Sequence, residues 1–148
     1  MDNITIKIIS KDDIYDIIPL LKQLNDKTPE DILKNRLLEM VEQNYECAVM
    51  YANKTLIGVC GMWFMTRHYI GKSMEIDHVI IDHNYRDLGL GKRFFSWIYN
   101  YAKDKGCDAS ELNAYVQNQK SHKFYFNEGY NIYGFHFLKI LRGDKKFY

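Results

Sequence analysis

One segment near the middle of the chain changes from strand periodicity to helix periodicity, and two glycines lie at the junction. Residues Met74 to Ile81 carry apolar side chains on both faces, a pattern typical of a central strand. From Leu88 onward the apolar residues recur at helical spacing, and Gly106 is a natural helix end. Because a strand and a helix follow each other so directly, the chain is expected to fold as an α/β or α+β domain.

The segments on either side extend this pattern into one order of elements. Alternating or β-rich runs predict strands, and apolar residues at helical spacing behind cap residues predict helices. The predicted strands cover 4–9, 46–52, 55–66, 74–81, 109–116 and 130–141, and the predicted helices cover 10–24, 29–41, 88–106 and 119–127. The order is βααβββαβαβ around a mixed sheet. With 148 residues, no internal repeat and only two prolines, we expect a single domain over residues 1–148.

The charge balance argues against a general attraction to polyanions. Twenty Lys and Arg residues stand against nineteen Asp and Glu residues, so we expect neither nucleic acid nor a membrane as partner. The sequence has no long apolar run and no basic n-region, so neither a membrane span nor a signal peptide is expected. Cys47, Cys60 and Cys107 fit no disulfide or CxxC pattern, which favours a cytoplasmic location. The histidines have no HExxH spacing, so no metal is expected.

The junction between strand and helix is suited to an anion. Gly89 and Gly91 let the backbone approach a ligand closely, and the helix start offers free N–H groups at the positive end of its dipole. Arg86, Lys92 and Arg93 add positive charge, so a pyrophosphate is the expected guest. The third glycine of a dinucleotide fingerprint and the Ser or Thr of a P-loop are both missing. A helix that merely begins with glycines is the alternative interpretation.

Two motifs together resemble the GNAT superfamily of N-acetyltransferases. The first is Arg86-x-x-Gly89-x-Gly91 after a strand, and the second runs from Asn118 through Phe124-Tyr125 to Gly129-Tyr130. The predicted order of elements also matches this family across nearly the whole chain. The resemblance implies a GNAT-like mixed, mostly antiparallel sheet with helices on both faces. The segment from His122 to Lys139 is similar to that of small-amine members such as aminoalkylphosphonate acetyltransferases.

The resemblance also implies acetyl-CoA as the co-substrate. The strand before the junction would pair its backbone with the pantetheine arm, the junction amides would hold the pyrophosphate, and Asn118 would hydrogen-bond the pantetheine arm. Ser121 replaces the alanine that is commoner in the family, a small-for-small change. The implied acetyl-CoA-binding residues are Val79, Ile80, Ile81, Arg86, Asp87, Leu88, Gly89, Leu90, Gly91, Lys92, Arg93, Asn118, Ser121, Phe124 and Tyr125.

Acetyl transfer to an amine benefits from a base, because an ammonium group with a pKa of about 10.4 must lose a proton before it can attack. Glu75 and Asp77 are the candidates, since alternation along the strand puts both on the same face. The family places a catalytic Glu at either position, and we prefer Glu75. The alternative is that one carboxylate is exposed and the other is salt-bridged. Alternation directs His78 to the opposite face, as a core or CoA-side residue.

Tyr125 is the candidate acid. The thiolate leaving group benefits from a proton or a hydrogen bond, and a tyrosine with a pKa of about 10 is protonated at neutral pH. The resemblance places Tyr125 near the thioester sulfur and the Val79 amide at the thioester carbonyl. A tyrosine that is merely packed in its helix is the alternative interpretation.

These observations predict an acetyl-CoA-dependent N-acetyltransferase. Its acceptor would be the primary amine of a small molecule, which attacks the thioester directly in a ternary complex, and the acidic pair would suit a cationic amine. Two alternatives stay open: an enzyme that acetylates protein lysines or N-termini, and a non-catalytic CoA-binding sensor module. Family analogy alone suggests a homodimer.

Overall fold

A five-stranded sheet forms the centre of the structure, a computed structural model that describes residues 2–148. The strands are β1 (Ile4–Ile8), β2 (Tyr45–Ala52), β3 (Thr55–Arg67), β4 (Gly71–Ile81) and β5 (Ala109–Leu112). The α-helices are α1 (Ile18–Leu24), α2 (Glu30–Met40), α3 (Leu90–Asp104) and α4 (Gln119–Asn127), with 3-10 helical segments at Lys11–Ile17 and His83–Tyr85. The predicted passage from strand to helix is therefore β4, a short loop and α3.

The strands lie in the sheet in the same order as in the chain. The pairs from β1 to β4 are antiparallel, and β5 joins β4 in parallel after the α3 crossover. The two residues between the predicted strands 46–52 and 55–66 form the turn from β2 to β3, where Asn53 has a φ of +56° that suits a tight hairpin. The mixed, mostly antiparallel sheet is thus confirmed.

Helices cover both faces of the sheet, as predicted. On one face, α1, α2 and the first 3-10 segment bury apolar side chains such as Leu37 in a core that includes Val59 of β3. On the other face, the apolar stripe of α3 buries Phe94 and Ile98 in a second core, which includes Met62 of β3. Complete burial of a side chain of this size contributes on the order of 1.5–3 kcal/mol. The two cores therefore hold β4 firmly between layers, with both of its faces covered.

A β-bulge interrupts the pairing of β3 with β4 beside the candidate carboxylates. Asp77 and His78 of β4 together oppose the single residue Gly61 of β3, between regular pairs on either side. The extra residue shifts the alternation, so His78 contacts Tyr45 on the α1 and α2 side of the sheet. The prediction that His78 lies on the face opposite Asp77 was wrong, because simple alternation assumes one residue for each pairing position.

The last predicted strand, residues 130–141, does not form in the described chain. Residues 131–141 make no backbone–backbone hydrogen bond there, and β5 ends at Leu112 rather than at residue 116. The prediction used the alternation of side chains, whereas a strand also needs a neighbouring edge with which to pair. The observed order is therefore βααβββαβα, followed by an extended C-terminal segment.

Candidate active site

The first feature of the site is an open edge on β4. β5 pairs with β4 only over the residues Ser73 to Ile76, although β4 continues to Ile81. Over the chain that the structure describes, the backbone from 77 to 81 has no strand beside it on this edge. Unpaired N–H and C=O groups of this kind can pair with an extended ligand as they would with a further strand. Val79, Ile80 and Ile81, implied by the resemblance to bind acetyl-CoA, lie on this edge.

The open edge leads to the N-terminus of α3, where the backbone is left-handed at two residues. Gly89 precedes the first residue of α3 with a φ of +75°, and Asp87 has a φ of +63°. A Cβ on Gly89 would meet no atom within 4 Å, so backbone conformation rather than crowding favours glycine here. Gly89, the residue before α3, has no side chain that could accept a hydrogen bond from the amides of the first turn. The first amides of the helix are therefore available to an anion.

Hydrogen bonds hold the loop between β4 and α3 in place. Gln23 of α1 donates to the Asp82 carboxylate over 3.0 Å and accepts from the amide of His83 over 3.2 Å. Arg86 Nε donates to the carbonyl of Ile81 over 3.1 Å. Burial alone would raise the pKa of Asp82, but hydrogen bonds from a loop amide and Gln23 outweigh it and lower that pKa. Gln23, which sequence analysis missed, thus ties the loop to α1.

The remaining junction residues divide between surface and core. Lys92 and Arg93 line a groove between α3 and β1, together with Trp97. Leu88 is exposed, whereas Leu90 packs against the core under α3. Positive side chains therefore begin α3 beside its free amides.

Helix α4 brings the second motif next to the junction. Asn118 caps α4 by accepting a hydrogen bond from the amide of Ser121 over 3.4 Å. The ring of Phe124 lies beside the junction, because a Cβ on Gly91 would be 3.5 Å from its Cε2 atom. The cap uses the Oδ1 atom of Asn118, which leaves the Nδ2 group for another partner. Two motifs far apart in sequence are thereby adjacent in space.

Tyr125 is half-buried in an aromatic cluster on the α3 side of the sheet. Its ring centroid lies 6.2 Å from that of Phe95, 5.8 Å from that of Phe124 and 6.0 Å from that of Tyr130. Burial, with smaller contributions from the neighbouring Cys60 and Tyr130, raises the pKa of Tyr125 to about 12. The hydroxyl is therefore protonated at neutral pH and can donate a hydrogen bond.

Glu75 and Asp77 accept hydrogen bonds from separate donors. Asn113 Nδ2 donates to one oxygen of Glu75 over 3.2 Å, and the Arg67 guanidinium lies 3.6 Å from the other. The indole N–H of Trp63 donates to Asp77 over 3.0 Å. Each carboxylate keeps lone pairs that these donors do not use, so either one can accept a proton from an amine.

A third carboxylate, which sequence analysis missed, lies beside this pair. Glu111 of β5 stands opposite Glu75 in the sheet register, and it accepts hydrogen bonds from Ser73 over 2.5 Å and Arg67 over 2.7 Å. The hydroxyl of Tyr69 also donates to it. Burial alone would raise the pKa of Glu111, but these hydrogen bonds and the Arg67 charge outweigh burial and lower it. The pairing of β3 with β4 and of β4 with β5 assembles this cluster, so no local sequence pattern marks it.

His78 is buried beside the bulge and is bonded to a tyrosine. Its Nε2 atom lies 2.5 Å from the hydroxyl of Tyr45, and its Nδ1 atom is buried without a hydrogen-bond partner in residues 2–148. Burial lowers the pKa of His78, although the neighbouring Asp77 opposes this effect. The ring is therefore neutral at neutral pH, and it occupies the space that a side chain on Gly61 would need.

Comparison with known protein families identifies the family to which the chain belongs. The model of the acetyltransferase (GNAT) family matches residues 12–130, which include the open edge of β4, the glycine junction and α4. The chain belongs to the acetyltransferase (GNAT) family. It is therefore an N-acetyltransferase by family, as the two motifs predict.

Individual GNAT proteins resemble the chain over most of its length. The aminoalkylphosphonate N-acetyltransferase of Salmonella typhimurium is 22% identical over 147 residues, with 85% of this chain and 95% of the relative covered. The structure of the aminoglycoside N-acetyltransferase AAC(6')-Iy in complex with CoA gives a TM-score of 0.83 at 16% identity, covering 96% of this chain and 97% of that one. A GNAT family acetyltransferase from Staphylococcus aureus gives 0.76 at 25% identity, covering 95% and 100%. These likenesses confirm the GNAT fold.

In this GNAT chain, the open edge of β4 can be reached from both faces of the sheet. Tyr125 packs against the same core as Val79 and Ile81 on the α3 side, whereas Glu75 and Asp77 bond to residues on the other side. Because β5 pairs no further than Ile76, groups from both sides can reach a ligand on this edge.

Among residues 2–148, no helix is long and apolar enough to cross a membrane, and no group of three or more His, Cys, Asp or Glu residues could hold a metal ion.

Proposed function

We propose that this GNAT protein, acting as one domain over residues 1–148, acetylates the primary amine of a small molecule with acetyl-CoA. The amine would attack directly, with both substrates bound at once. The observation that carries the proposal is the open edge of β4, which ends at the free amides of α3. An extended ligand with a pyrophosphate at one end matches this surface, because an edge binds the chain and a helix start binds the anion.

The residues present fit acetyl-CoA. The backbone of Val79, Ile80 and Ile81 would hold the pantetheine arm, and the Nδ2 group of Asn118 is free to bond to it. The amides around Gly89 would hold the pyrophosphate, and the space beside that residue is open. Acetyl-CoA, when bound, supplies an acetyl group held as a reactive thioester. The CoA complex of AAC(6')-Iy supports this placement through the shared fold.

Glu75 takes the proton of the acceptor amine in this proposal. Removing that proton at pH 7 costs about 4.6 kcal/mol for an amine with a pKa of about 10.4, so a positioned base lowers the barrier. Arg67 and Asn113 hold the carboxylate of Glu75 in place. Asp77, which Trp63 holds through one neutral hydrogen bond, is the second candidate for the same role.

Tyr125 and the Val79 amide act at the thioester end of the open edge. The Val79 N–H would donate to the carbonyl oxygen as negative charge develops there. Tyr125 would donate to the sulfur that departs. With a pKa of about 12, its hydroxyl is a weaker acid than a thiol, whose pKa is about 8.5. Tyr125 therefore stabilises the departing sulfur mainly by a hydrogen bond. Complete transfer of its proton to the sulfur would be energetically unfavourable.

The charges beside the site favour a cationic acceptor. The carboxylates of Glu75, Asp77 and Glu111 outnumber the single cation of Arg67 that bonds among them, which leaves an excess of negative charge. An ammonium group is attracted to such a site, whereas a phosphonate is repelled. We therefore place amines with more than one positive charge ahead of aminoalkylphosphonates as acceptors.

A screen for CoA release tests the proposed function. The purified chain is incubated with acetyl-CoA and, separately, with polyamines, aminoglycosides, aminoalkylphosphonates and lysine-containing peptides, and products are identified by mass spectrometry. We expect N-acetylation of a polycationic small amine at a higher kcat/KM than of any aminoalkylphosphonate. Turnover of peptides alone would favour protein acetylation. Tight binding of acetyl-CoA without turnover of any acceptor would favour a sensor.

A further inference from the structure

One arginine is shared unequally between two carboxylates beside the open edge of β4. Arg67 is the last residue of β3, and it lies near Glu75 of β4 and Glu111 of β5, which are partners in the sheet register. The Nε atom of Arg67 lies 2.7 Å from Glu111, whereas its Nη2 atom lies 3.6 Å from Glu75. The shorter distance is that of a charge-assisted hydrogen bond, and the longer one is beyond the range of a direct hydrogen bond. Arg67 is therefore bonded to Glu111 and only attracted to Glu75.

Glu111 is held firmly enough to fix this arginine. It accepts a hydrogen bond from the fully buried Ser73 over 2.5 Å and another from the hydroxyl of Tyr69. With Arg67, three donors bond to one carboxylate, and they keep its pKa low despite its burial. Glu111 is thus ionised at neutral pH and fixed in position, although no step of the proposed reaction uses it.

Glu75, by contrast, keeps most of its lone pairs free. Among residues 2–148 it accepts one hydrogen bond, from Asn113 over 3.2 Å. An arginine presents its donors in a planar fork that matches both oxygens of a carboxylate. If Arg67 turned from Glu111 to Glu75, this fork would occupy the lone pairs that the proton of an amine needs. The partner of Arg67 therefore bears on whether Glu75 can act as a base.

We propose that Glu111 is a positioning residue, which holds Arg67 away from Glu75 and so keeps Glu75 free to accept the proton of the amine. The inference rests on the proposed function, in which an O–H bond forms on Glu75 as the N–H bond of the amine breaks. Glu111 itself takes no proton. Without its charge, Glu75 would be the remaining carboxylate within 4 Å of Arg67, and the guanidinium would move to it.

Kinetics of a single and a double variant test the proposal. Glu111→Gln removes the charge and keeps the shape, so kcat should fall about 10-fold or more, because a positioned base contributes at least about 100-fold. The affinity for acetyl-CoA, measured by calorimetry, should not change. The double variant Arg67→Gln with Glu111→Gln has no guanidinium to turn, while Asn113 still holds Glu75. Its kcat should return to within about threefold of the wild type, since the two substitutions are coupled.

Glu46→Gln is the matched control for the loss of a carboxylate in an ion pair. Glu46 pairs with Lys105 and accepts from Tyr101 over 2.5 Å, and its side chain is 27% exposed against 25% for Glu111. It lies on β2, which β3 separates from β4, so its kcat should equal that of the wild type. Wild-type kcat in Glu111→Gln, or no recovery in the double variant, would overturn the role of Glu111 alone. A wild-type chain that acetylates no amine would overturn the proposed function as well.

A crystal structure of the Glu111→Gln variant gives a readout besides activity. We expect two nitrogens of Arg67 to lie within about 3.2 Å of the two carboxylate oxygens of Glu75. This result needs no acceptor amine, so it is independent of which substrate the chain acetylates. An Arg67 side chain that keeps its wild-type position, bonded to residue 111 and not to Glu75, would overturn the proposal.

Discussion

The hydroxyl of Tyr125 is the group on which the proposed departure of the sulfur depends. A hydrogen bond to a charged group is worth about 1.5–3 kcal/mol, so Tyr125→Phe should lower kcat by roughly 10- to 100-fold. The affinity for acetyl-CoA should change little, because the ring remains in its aromatic cluster. Steady-state kinetics and calorimetry of acetyl-CoA binding measure the two effects. Tyr99→Phe, in the same cluster, is the matched control, and an unchanged kcat in Tyr125→Phe would remove Tyr125 from the mechanism.

The two carboxylates on β4 can be told apart by neutral substitutions. Glu75→Gln should lower kcat by about 100-fold or more, since a positioned base contributes at least about that factor. The loss should shrink as the pH rises toward about 10, where more of the amine is already neutral. Asp77→Asn should cost less. A pH–rate profile of both variants decides the matter, and a larger loss in Asp77→Asn would transfer the role of the base to Asp77.

We expect His78 to make the stability of the folded chain depend on pH. Burial lowers its pKa below the ordinary value of 6.5, so below that pH the unfolded chain binds a proton that the folded chain does not. The free energy of unfolding should therefore fall as the pH drops from about 7.5 to about 5.5. His78→Gln should flatten this slope, whereas His136→Gln, at an exposed histidine, should not. Urea unfolding at several pH values measures the slopes, and equal slopes in both variants would contradict the assignment.

Among the structural elements, the bulge between β3 and β4 imposes the strictest packing requirement. A Cβ on Gly61 would lie within 2.7 Å of Cε1 of His78, inside van der Waals contact and without room to move in the core. Gly61→Ala should therefore lower the free energy of unfolding by about 1–3 kcal/mol. Gly143→Ala, which adds a methyl group in open space, is the control. Chemical denaturation compares the two, and equal stability of Gly61→Ala and wild type would show that the bulge adapts freely.

Elements that depend on local sequence were predicted well. The bounds of α4 agree with the prediction at both ends, Gln119 and Asn127, because a cap and a helical stripe lie within that segment. The bulge was not predicted, because it arises where two residues of β4 oppose one residue of β3. This is a property of how the strands pair and not of either strand's own sequence. The strand expected over 130–141 failed for a related reason: its side chains alternate, but no edge within the chain receives it.

The site shows the same division between local and long-range information. Gly89 and Asn118 stand in short motifs, so sequence alone could single them out. Glu111 and its bonds to Arg67 and Ser73 depend on the register of three strands, which no local pattern contains. The pKa of Tyr125 likewise depends on burial by rings from α3 and the segment after α4.

At the scale of the whole molecule, the chain is nearly neutral, but opposite charges lie at the two ends of the open edge of β4. Basic residues begin α3 at one end of the open edge of β4, and the carboxylates around Glu75 and Glu111 lie at the other. A net charge of +1 therefore hides a local arrangement that suits a phosphate ligand and a cationic acceptor together.

Binding of acetyl-CoA to two glycine variants tests the central proposal most directly. Gly89 and Gly106 flank the same helix with similar backbone, at φ of +75° and +82°, and a side chain on either would meet no protein atom within 4 Å. Valine strains both positions alike, but only at residue 89 would it occupy the space of the pyrophosphate. Calorimetry should show that Gly89→Val loses acetyl-CoA binding while Gly106→Val retains it. Wild-type affinity in a folded Gly89→Val variant, or equal loss in both, would contradict binding of acetyl-CoA at the start of α3.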